Sequence, residues 1–182
     1  MGMIRTVLFL SAMVASVSAF ADNRIGAFTS INGSFLAAEG GGGGALHANR
    51  PAQGPWERFR IFDKKCENSL FCNPLVSGDF VCLITDNGHF VVAESGGGRE
   101  TNATRTSCGP WETFQMFLLV NTPAGLFPGP GEIPLHGNVR LAFRASNQNW
   151  VTAEGGGGGD VNANRPAIGD WERFTFLQDA LH

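Results

Sequence analysis

The sequence predicts an all-β fold in which three similar segments pack around a common axis. The first observation is a 25-residue pattern that occurs three times, at residues 35–59, 90–114 and 150–174. The second is that strand-like alternation, rather than helical periodicity, fills most of the chain. One segment alone cannot bury its apolar face, so the copies must pack together. We expect the assembly to close, because an open sheet would leave exposed edges.

The three copies share one internal spacing. An aromatic residue is followed by two residues, Ala-Glu, a glycine run, a segment with Arg, and finally Gly-x-Trp-Glu-x-Phe. The interval from Glu to Trp is 17 residues in every copy. These internal repeats predict boundaries at about 22–62, 78–120 and 138–178.

The N-terminus predicts export. Residues 1–21 contain a positive charge at Arg5, an apolar run over 7–17 and an Ala-Phe-Ala site ending at Ala21. This is the pattern of a secretory signal peptide, and the apolar run is too short to span a bilayer. We therefore expect cleavage after Ala21, a folded domain at 22–182 and a secreted protein, or a periplasmic one in a bacterium.

Composition argues against two classes of partner. The formal net charge is −3, and it becomes −4 once Arg5 is removed with the signal. Only two lysines occur, Lys64 and Lys65, and no basic stripe is present. Nucleic acids and anionic membranes are bound through clustered Lys and Arg, so neither partner is expected, nor is membrane insertion.

The chain contains four cysteines, and an even number in an exported protein predicts two disulfides. Three pairings are open, and we favour Cys66–Cys72 and Cys82–Cys108. The first closes a short loop outside the repeats, and the second ties a strand to the Trp-Glu turn of its own repeat. A zinc site is the other interpretation, but no Cys-x2-Cys or Cys-His spacing favours it.

Each repeat is expected to form four short strands, which makes twelve in all. Asn32-Gly33 and Asn87-Gly88 are hairpin turn signals before the second strand, and the third repeat has a looser turn at 147–149. The fourth strand carries the Trp-Glu-x-Phe motif. Predicted inward-facing residues are Trp56, Phe59, Trp111, Phe114, Trp171 and Phe174, with Phe35, Phe90 and Trp150.

The aromatic-x-x-Ala-Glu-Gly-Gly segment, followed by Trp-Glu-x-Phe, resembles the fascin-like branch of the β-trefoil superfamily. The resemblance covers nearly all of 22–182 and implies a six-stranded barrel capped by three hairpins, with pseudo-threefold symmetry. The family includes actin-bundling proteins of four trefoils and single trefoils in exported proteins. This chain departs from the actin bundlers because it has one trefoil and a signal peptide.

Two segments lie outside the repeats, at 63–78 and 121–137. The second has four prolines and four glycines, which predicts an irregular surface loop with Phe127 exposed. Insertions between repeats often carry function that is specific to one protein.

Three Glu/Arg pairs, each 11 residues apart, are candidate ligand contacts. If the second and third strands pair, each Glu meets its own Arg, either as a structural bridge or as a polar surface for a sugar hydroxyl. The candidate set with neighbouring amides is Glu39, Asn49, Arg50, Glu94, Asn102, Arg105, Glu154, Asn164 and Arg165. The glycine runs either supply positive φ angles or allow a ligand to approach the backbone.

Catalysis and cofactors are not expected. Glycosidases need two carboxylates in different environments, whereas the repetition gives equivalent ones. The histidines lack metal-ligand spacing, and no lysine or helix follows the glycine runs as a phosphate loop requires. Glu57, Glu112 and Glu172 are expected to cap backbone N–H groups. The tryptophans would stack on sugar rings only if exposed.

The sequence therefore predicts a non-enzymatic, carbohydrate-binding, lectin-like module with weak sites that add by multivalency. Two alternatives remain open. One is an actin-binding, fascin-type protein, and the other is an adhesion or inhibitor module that binds protein through 63–78 and 121–137.

Overall fold

The computed structural model describes residues 24–67, 73–134 and 137–179, and within them the fold is all-β with no α-helix. The predicted signal peptide at 1–21 lies outside the described residues. In chain order the strands are β1 (Arg24–Thr29), β2 (Phe35–Ala38), β3 (Leu46–Arg50), β4 (Arg58–Asp63), β5 (Phe80–Thr85), β6 (Phe90–Ala93), β7 (Thr101–Arg105), β8 (Thr113–Thr122), β9 (Gly125–Gly129), β10 (Asn138–Arg144), β11 (Trp150–Ala153), β12 (Val161–Arg165) and β13 (Phe174–Gln178).

Six strands form a closed antiparallel ring. β1 pairs with β4 and β13, β4 pairs with β5, β5 with β8, β8 with β10, and β10 with β13. Closure satisfies the backbone groups of both edges of every strand in the ring. The predicted closure of the sheet is thus observed.

Three hairpins extend from this barrel: β2–β3, β6–β7 and β11–β12. Each is joined to its preceding barrel strand through one residue pair, for example Thr29 with Phe35. The turns that precede them need a positive φ, which is 86° at both Gly33 and Gly88 and 75° at Gln148. The two Asn-Gly signals therefore mark real turns, and the third turn is made without glycine.

The second insertion differs from the prediction. Residues 121–137 are not an irregular loop throughout, because β8 runs on to Thr122 and pairs with β9 to make an additional hairpin. The described residues thus contain thirteen strands rather than twelve. Pro128 is tolerated because β9 pairs only with β8, so one side of this edge strand needs no N–H donor.

The first insertion, 63–78, begins at Asp63, whose side chain is buried. Asp63 Oδ1 accepts the backbone N–H of Lys65 at 2.9 Å, and burial raises the pKa of this carboxyl. Burial alone would lower the pKa of Lys65, but its hydrogen bond to Asp79 and the charges of Asp63 and Asp79 raise it. Because the folded Asp63 holds its proton more tightly, its contribution to stability is lost as pH rises through its folded pKa.

The barrel core is aromatic. Phe28 is fully buried and lies 5.7 Å from Phe59, 5.4 Å from Phe143 and 4.9 Å from Phe176, measured between ring centroids. Phe59, Phe114 and Phe174 of the repeated motif are all buried in this main cluster. Phe35 and Phe90 are only half-buried, so the prediction of core positions for them is wrong.

A second cluster lies beneath the additional hairpin. Trp150, Leu119, Leu126 and Ala142 form it, and Phe117 stacks at 5.2 Å from Trp150. Trp150 is therefore buried as predicted, but in this satellite cluster rather than in the barrel.

The prediction that the motif tryptophans lie in the core is wrong. Trp56, Trp111 and Trp171 are 43%, 45% and 42% exposed. The reason is that each Trp lies in the turn before the fourth strand: Pro55–Glu57 forms a 3-10 turn, and β4 begins only at Arg58. The matching strands β8 and β13 begin at Thr113 and Phe174, so the prediction that the fourth strand carries the whole Trp-Glu-x-Phe motif is wrong. The residue that shares the inward face with Phe is the intervening acid, and Glu57, Glu112 and Glu172 are all buried.

The glycine runs join each repeat to the next through the backbone. Gly43 N–H donates to Ala103 O at 2.6 Å, and Ala103 N–H donates to Gly44 O at 2.9 Å. The same two bonds link the second run to Ala163 and the third run to Ala48. The six hydrogen bonds form a closed ring around three alanines that are fully buried.

These runs adopt a conformation that ordinary residues avoid. Gly40, Gly41, Gly42 and Gly43 all have positive φ, as do the matching residues of the other repeats. The second repeat places Ser95 at φ 59° where its counterparts have glycine. The interpretation of the glycines as a source of positive φ therefore holds.

One predicted disulfide is present. Cys82 of β5 is bonded to Cys108 of the turn before β8, with a Cα–Cα distance of 6.3 Å. The chain-entropy model assigns about 3.5 kcal/mol to a loop with their sequence separation of 26 residues. Cys66 is also disulfide-bonded. Its predicted partner Cys72 lies outside the described residues, so Cys66–Cys72 stays a prediction.

Replacing Ser95 or Gln148 by glycine should stabilise the fold. Each occupies a left-handed backbone position, which costs a non-glycine residue about 1–2 kcal/mol of strain in the folded state. Glycine avoids this strain but loses about 0.5–1 kcal/mol more conformational entropy on folding. We expect each variant to raise the free energy of unfolding by about 0.5–1 kcal/mol in urea titrations. Gly33→Gln, the reciprocal change, should lower it. An unchanged or lower stability for both glycine variants would contradict this assignment.

Gly42→Ala should be much more destabilising than Gly40→Ala. At Gly42, with φ +125°, a methyl group would lie 2.2 Å from Asn87 Oδ1, whereas at Gly40 nothing lies within 4 Å. We expect a loss of about 3 kcal/mol at Gly42 from strain and overlap, and about 1 kcal/mol at Gly40 from strain alone. Thermal unfolding followed by circular dichroism measures both. Equal losses of stability in the two variants would show that the close approach of Gly42 to Asn87 contributes no stability.

Candidate functional site

Four side chains of the repeated pattern meet at the end of each hairpin. We call these groups clusters 1, 2 and 3. Cluster 1 is Glu39, Arg50, Trp56 and Glu57; cluster 2 is Glu94, Arg105, Trp111 and Glu112; cluster 3 is Glu154, Arg165, Trp171 and Glu172. The strand register pairs each Arg with the aromatic residue that begins the preceding strand, for example Arg50 with Phe35. Each first Glu directly follows that strand, so the Arg side chain reaches it along the hairpin.

The first contact in each cluster is a charge-assisted hydrogen bond. Arg50 Nη2 lies 2.8 Å from both carboxylate oxygens of Glu39. The corresponding distances are 3.0 Å to both oxygens of Glu94 and 2.5 Å to Glu154 Oε2. These side chains remain partly exposed, so each pair both holds the hairpin and presents polar atoms to solvent.

A second, buried carboxylate lies behind each Arg. Glu57 Oε1 is 3.8 Å from Arg50 Nε, and Glu57 Oε2 accepts the backbone N–H of Gly54 at 2.6 Å. Glu112 and Glu172 make the same two contacts, with Gly109 and Gly169 as donors. The expected capping role is therefore present in every repeat, and each guanidinium lies between two carboxylates.

The amide positions differ from the predicted set. Asn102 Nδ2 donates to Glu94 Oε1 at 2.7 Å, and Asn162, which the sequence analysis missed, donates to Glu154 at 3.0 Å. In cluster 1 the equivalent residue is His47, whose Nδ1 is 3.1 Å from Glu39 Oε1. Aligning the repeats eight residues after each Glu would have found both residues.

The other two predicted amides lie two residues further along the strand. Asn164 Nδ2 donates to Glu154 at 3.3 Å, and its Oδ1 accepts from Arg165 at 3.2 Å. Asn49 is exposed, and the partners of Glu39 among the described residues are His47 and Arg50. Asn49 is therefore not brought to the carboxylate, unlike Asn164 at the matching position of the third repeat.

Each exposed indole rests on the glycine run. A methyl group on Gly41 would lie 3.3 Å from Trp56 Cδ1, and the same distance recurs for Gly96 with Trp111 and Gly156 with Trp171. Only a residue without a side chain lets the ring approach this closely. The glycine thus fixes the indole against the backbone while almost half of the Trp stays exposed.

Cluster 3 has two further features. The Arg165 guanidinium lies 5.8 Å from the centroid of the Trp171 ring, within cation–π range. An open depression of about 390 Å³ adjoins it, lined by Arg165, residues 167–170, Trp171 and Glu172.

The turn of the following repeat completes each cluster. Gly41 O accepts the backbone N–H of Asn87 at 3.2 Å. Gly96 O accepts from Asn147, and Gly156 O accepts from Asn32, at 3.0 and 3.2 Å. Each cluster is therefore built from two repeats, which positions a polar turn beside each exposed Trp.

Other kinds of site were considered only as they concern residues 24–67, 73–134 and 137–179. No group of three or more His, Cys, Asp or Glu side chains there is arranged to hold a metal ion. In the same ranges no helix has the length and apolar character needed to cross a bilayer.

Several solved structures resemble this chain. The SDF2-like protein of Arabidopsis thaliana aligns with a TM-score of 0.61 at 6% identity, over 85% of this chain and 92% of that one. The Rhizoctonia solani agglutinin, a β-trefoil lectin, aligns with a TM-score of 0.56 at 13% identity, over 86% and 96%. The Saccharomyces cerevisiae O-mannosyltransferase Pmt1–Pmt2 complex aligns with a TM-score of 0.59 at 10% identity, over 87% of this chain and 25% of that one.

No family model matches the chain, and no curated protein matches it. At these identities the structural likeness establishes the fold alone, and the similar regions are all β-trefoil-like. The closed six-stranded ring and its three hairpins agree with that likeness. The fold of this chain is therefore β-trefoil-like.

Glu57→Ala should destabilise the fold while Glu57→Gln is better tolerated. The buried carboxylate accepts a backbone hydrogen bond and faces Arg50, and alanine would leave both donors without it. We expect a loss of about 2–3 kcal/mol for alanine and about half of that for glutamine, which keeps an acceptor oxygen. Chemical denaturation measures both. Equal, small losses would show that the cap is dispensable.

Proposed function

We propose that this chain is an exported, non-enzymatic carbohydrate-binding module that uses clusters 1, 2 and 3 as three shallow sites. The observation that carries the proposal is the exposure of Trp56, Trp111 and Trp171 beside partly exposed Glu/Arg pairs. An indole face suits the C–H face of a pyranose, and the charged pair offers donors and acceptors to hydroxyls.

The arrangement of charges supports binding without turnover. In each cluster both carboxylates contact the same guanidinium, for example Glu39 and Glu57 with Arg50. A glycosidase pair needs one carboxyl held as an acid and the other as a base or nucleophile across a cleft. Here both carboxylates of a cluster are held by one guanidinium rather than facing each other across a cleft, which favours recognition.

The likeness to an agglutinin supports a glycan partner, because that protein is a lectin on the same fold. Three weak sites on one module suit a polymer, since each additional site engages at a high effective concentration. The proposal includes pseudo-threefold symmetry of the three four-stranded repeats and membership of the fascin-like branch. Both are supported by the repeated motif and by the ring of hydrogen bonds between repeats.

Export is part of the proposal. It is supported by the disulfide Cys82–Cys108, which persists in oxidising compartments, and by the signal-like pattern of residues 1–21. Disulfide mapping of the secreted protein would test both this bond and the predicted Cys66–Cys72 pair.

The test is a glycan and polysaccharide array probed with the exported protein. The first variant replaces Trp56, Trp111 and Trp171 by alanine, and the second replaces Arg50, Arg105 and Arg165. We expect selective binding by the parent protein and a loss of at least tenfold in both variants. Single Trp→Ala changes should each weaken binding to a polymer, because one of three linked sites is removed.

The matched control is Phe80→Ala, which removes an aromatic side chain that is 54% exposed on β5, outside the clusters. It should leave binding unchanged. Binding that survives in the triple Trp variant would contradict the assignment of the site. Absence of binding to any glycan would overturn the carbohydrate proposal and favour a protein partner.

A further inference from the structure

The three clusters differ at one position in the turn that the following repeat contributes. The residue before the turn asparagine is Asp86 beside cluster 1, Ser146 beside cluster 2 and Ile31 beside cluster 3. Ile31 is 56% exposed, so the apolar side chain is displayed on the surface rather than used in the core. A branched aliphatic residue in an exposed turn, next to an exposed Trp, is a candidate ligand contact.

Ile31 and Trp171 lie on either side of the same glycine. A methyl group on Gly156 would be 2.9 Å from Ile31 Cγ2 and 3.3 Å from Trp171 Cδ1. In cluster 2 the matching distances are 2.7 Å to Ser146 Oγ and 3.3 Å to Trp111 Cδ1. The same geometry therefore brings an aliphatic side chain to the glycine beside the Trp in cluster 3, and a hydroxyl to the matching glycine in cluster 2.

Cluster 3 is also supported by the second insertion. Ile168, from the turn that carries Trp171, packs against the second hydrophobic cluster beneath the additional hairpin. Arg173 of the same turn pairs with Asp170 and lies 5.8 Å from the Phe127 ring of β9. The second insertion thus packs against this turn, and residues of the turn line the open depression beside Trp171.

The charges around cluster 3 disfavour acidic ligands. Glu154 and Glu172 contact Arg165, and Asp170 contacts Arg173, so three carboxylates face two guanidinium groups. No cation is left in excess to balance a ligand carboxylate. A neutral sugar is the chemistry that this surface accepts.

We propose that cluster 3 is the primary site and that it selects a neutral pyranose bearing a methyl group, with the ring on Trp171 and the methyl on Ile31. This inference rests on the proposed function and deepens it. The methyl belongs either to an acetamido substituent or to a 6-deoxy carbon. Both place one apolar group beside the apolar face of the ring, and the experiment separates them.

The experiment compares methyl glycosides in matched pairs by titration calorimetry with the exported full chain. N-acetylglucosamine is compared with glucose, and N-acetylgalactosamine with galactose. Fucose, which is 6-deoxygalactose, is compared with galactose of the same D or L configuration. Burying one methyl group favours the methyl-bearing member by about fourfold, equivalent to about 0.8 kcal/mol. The pair that shows the preference identifies the substituent.

Two variants assign the preference to Ile31. Ile31→Ser, which copies the residue of cluster 2, should abolish it while leaving the unfolding temperature and the affinity for the parent hexose unchanged. Ser146→Ile should create a second methyl-selective site and raise the measured stoichiometry for the methyl-bearing sugar. Trp171→Ala should remove the preference, whereas Trp56→Ala should leave it.

The outcomes separate the two proposals. If no sugar binds the parent protein, both the carbohydrate proposal and this one fail. If sugars bind but no pair shows a preference, or the preference survives Ile31→Ser, only the inference about cluster 3 is overturned. If Ser146→Ile gains no selectivity in a folded protein, the role given to the turn residue is wrong.

Discussion

The structure depends on the contact between each glycine run and the next repeat. Gly43 and Gly44 exchange hydrogen bonds with Ala103, and the two other runs do the same with Ala163 and Ala48. A single hairpin is marginally stable in water, so no repeat is expected to hold its hairpin alone. Four consecutive residues at positive φ make this approach possible, which explains why the glycines recur in the same register although they carry no chemistry.

This constraint also creates the candidate sites. The indole of Trp56 lies against Gly41, while Gly41 O accepts a hydrogen bond from the turn of the following repeat. The ring is therefore fixed on a backbone surface that belongs to the contact between repeats. Arg50 is held by Glu39 at the surface and by Glu57 below it, so both the aromatic and the polar parts of the site are pre-organised. Little ordering would accompany ligand binding, which suits shallow sites that act together.

The sequence was sufficient for the all-β class, the repeats, the hairpin turns and the approach of each Glu to its Arg. It failed at Trp56, because the fixed interval to Phe59 suggested that both residues were buried, whereas Trp56 lies in the turn before β4 and is exposed. The proline and glycine content of 121–137 predicted a loop, and β9 was therefore missed. Pro128 is compatible with β9 because β9 is an edge strand. The proposed role of Ile31 required the folded chain, because Ile31 comes close to Gly156, beside Trp171, only through the packing of the first repeat on the third.

In the proposed site three exposed tryptophans, and not the fourth, form the ligand surface. The decisive measurement is a titration of the protein with a polysaccharide that it binds, followed through the indole N–H signals in a ¹⁵N–¹H correlation spectrum. We expect shifts for Trp56, Trp111 and Trp171, which are exposed, and none for Trp150, which is buried against Phe117. Shifts confined to residues 121–137, with all four indole signals unmoved, would refute the proposed site.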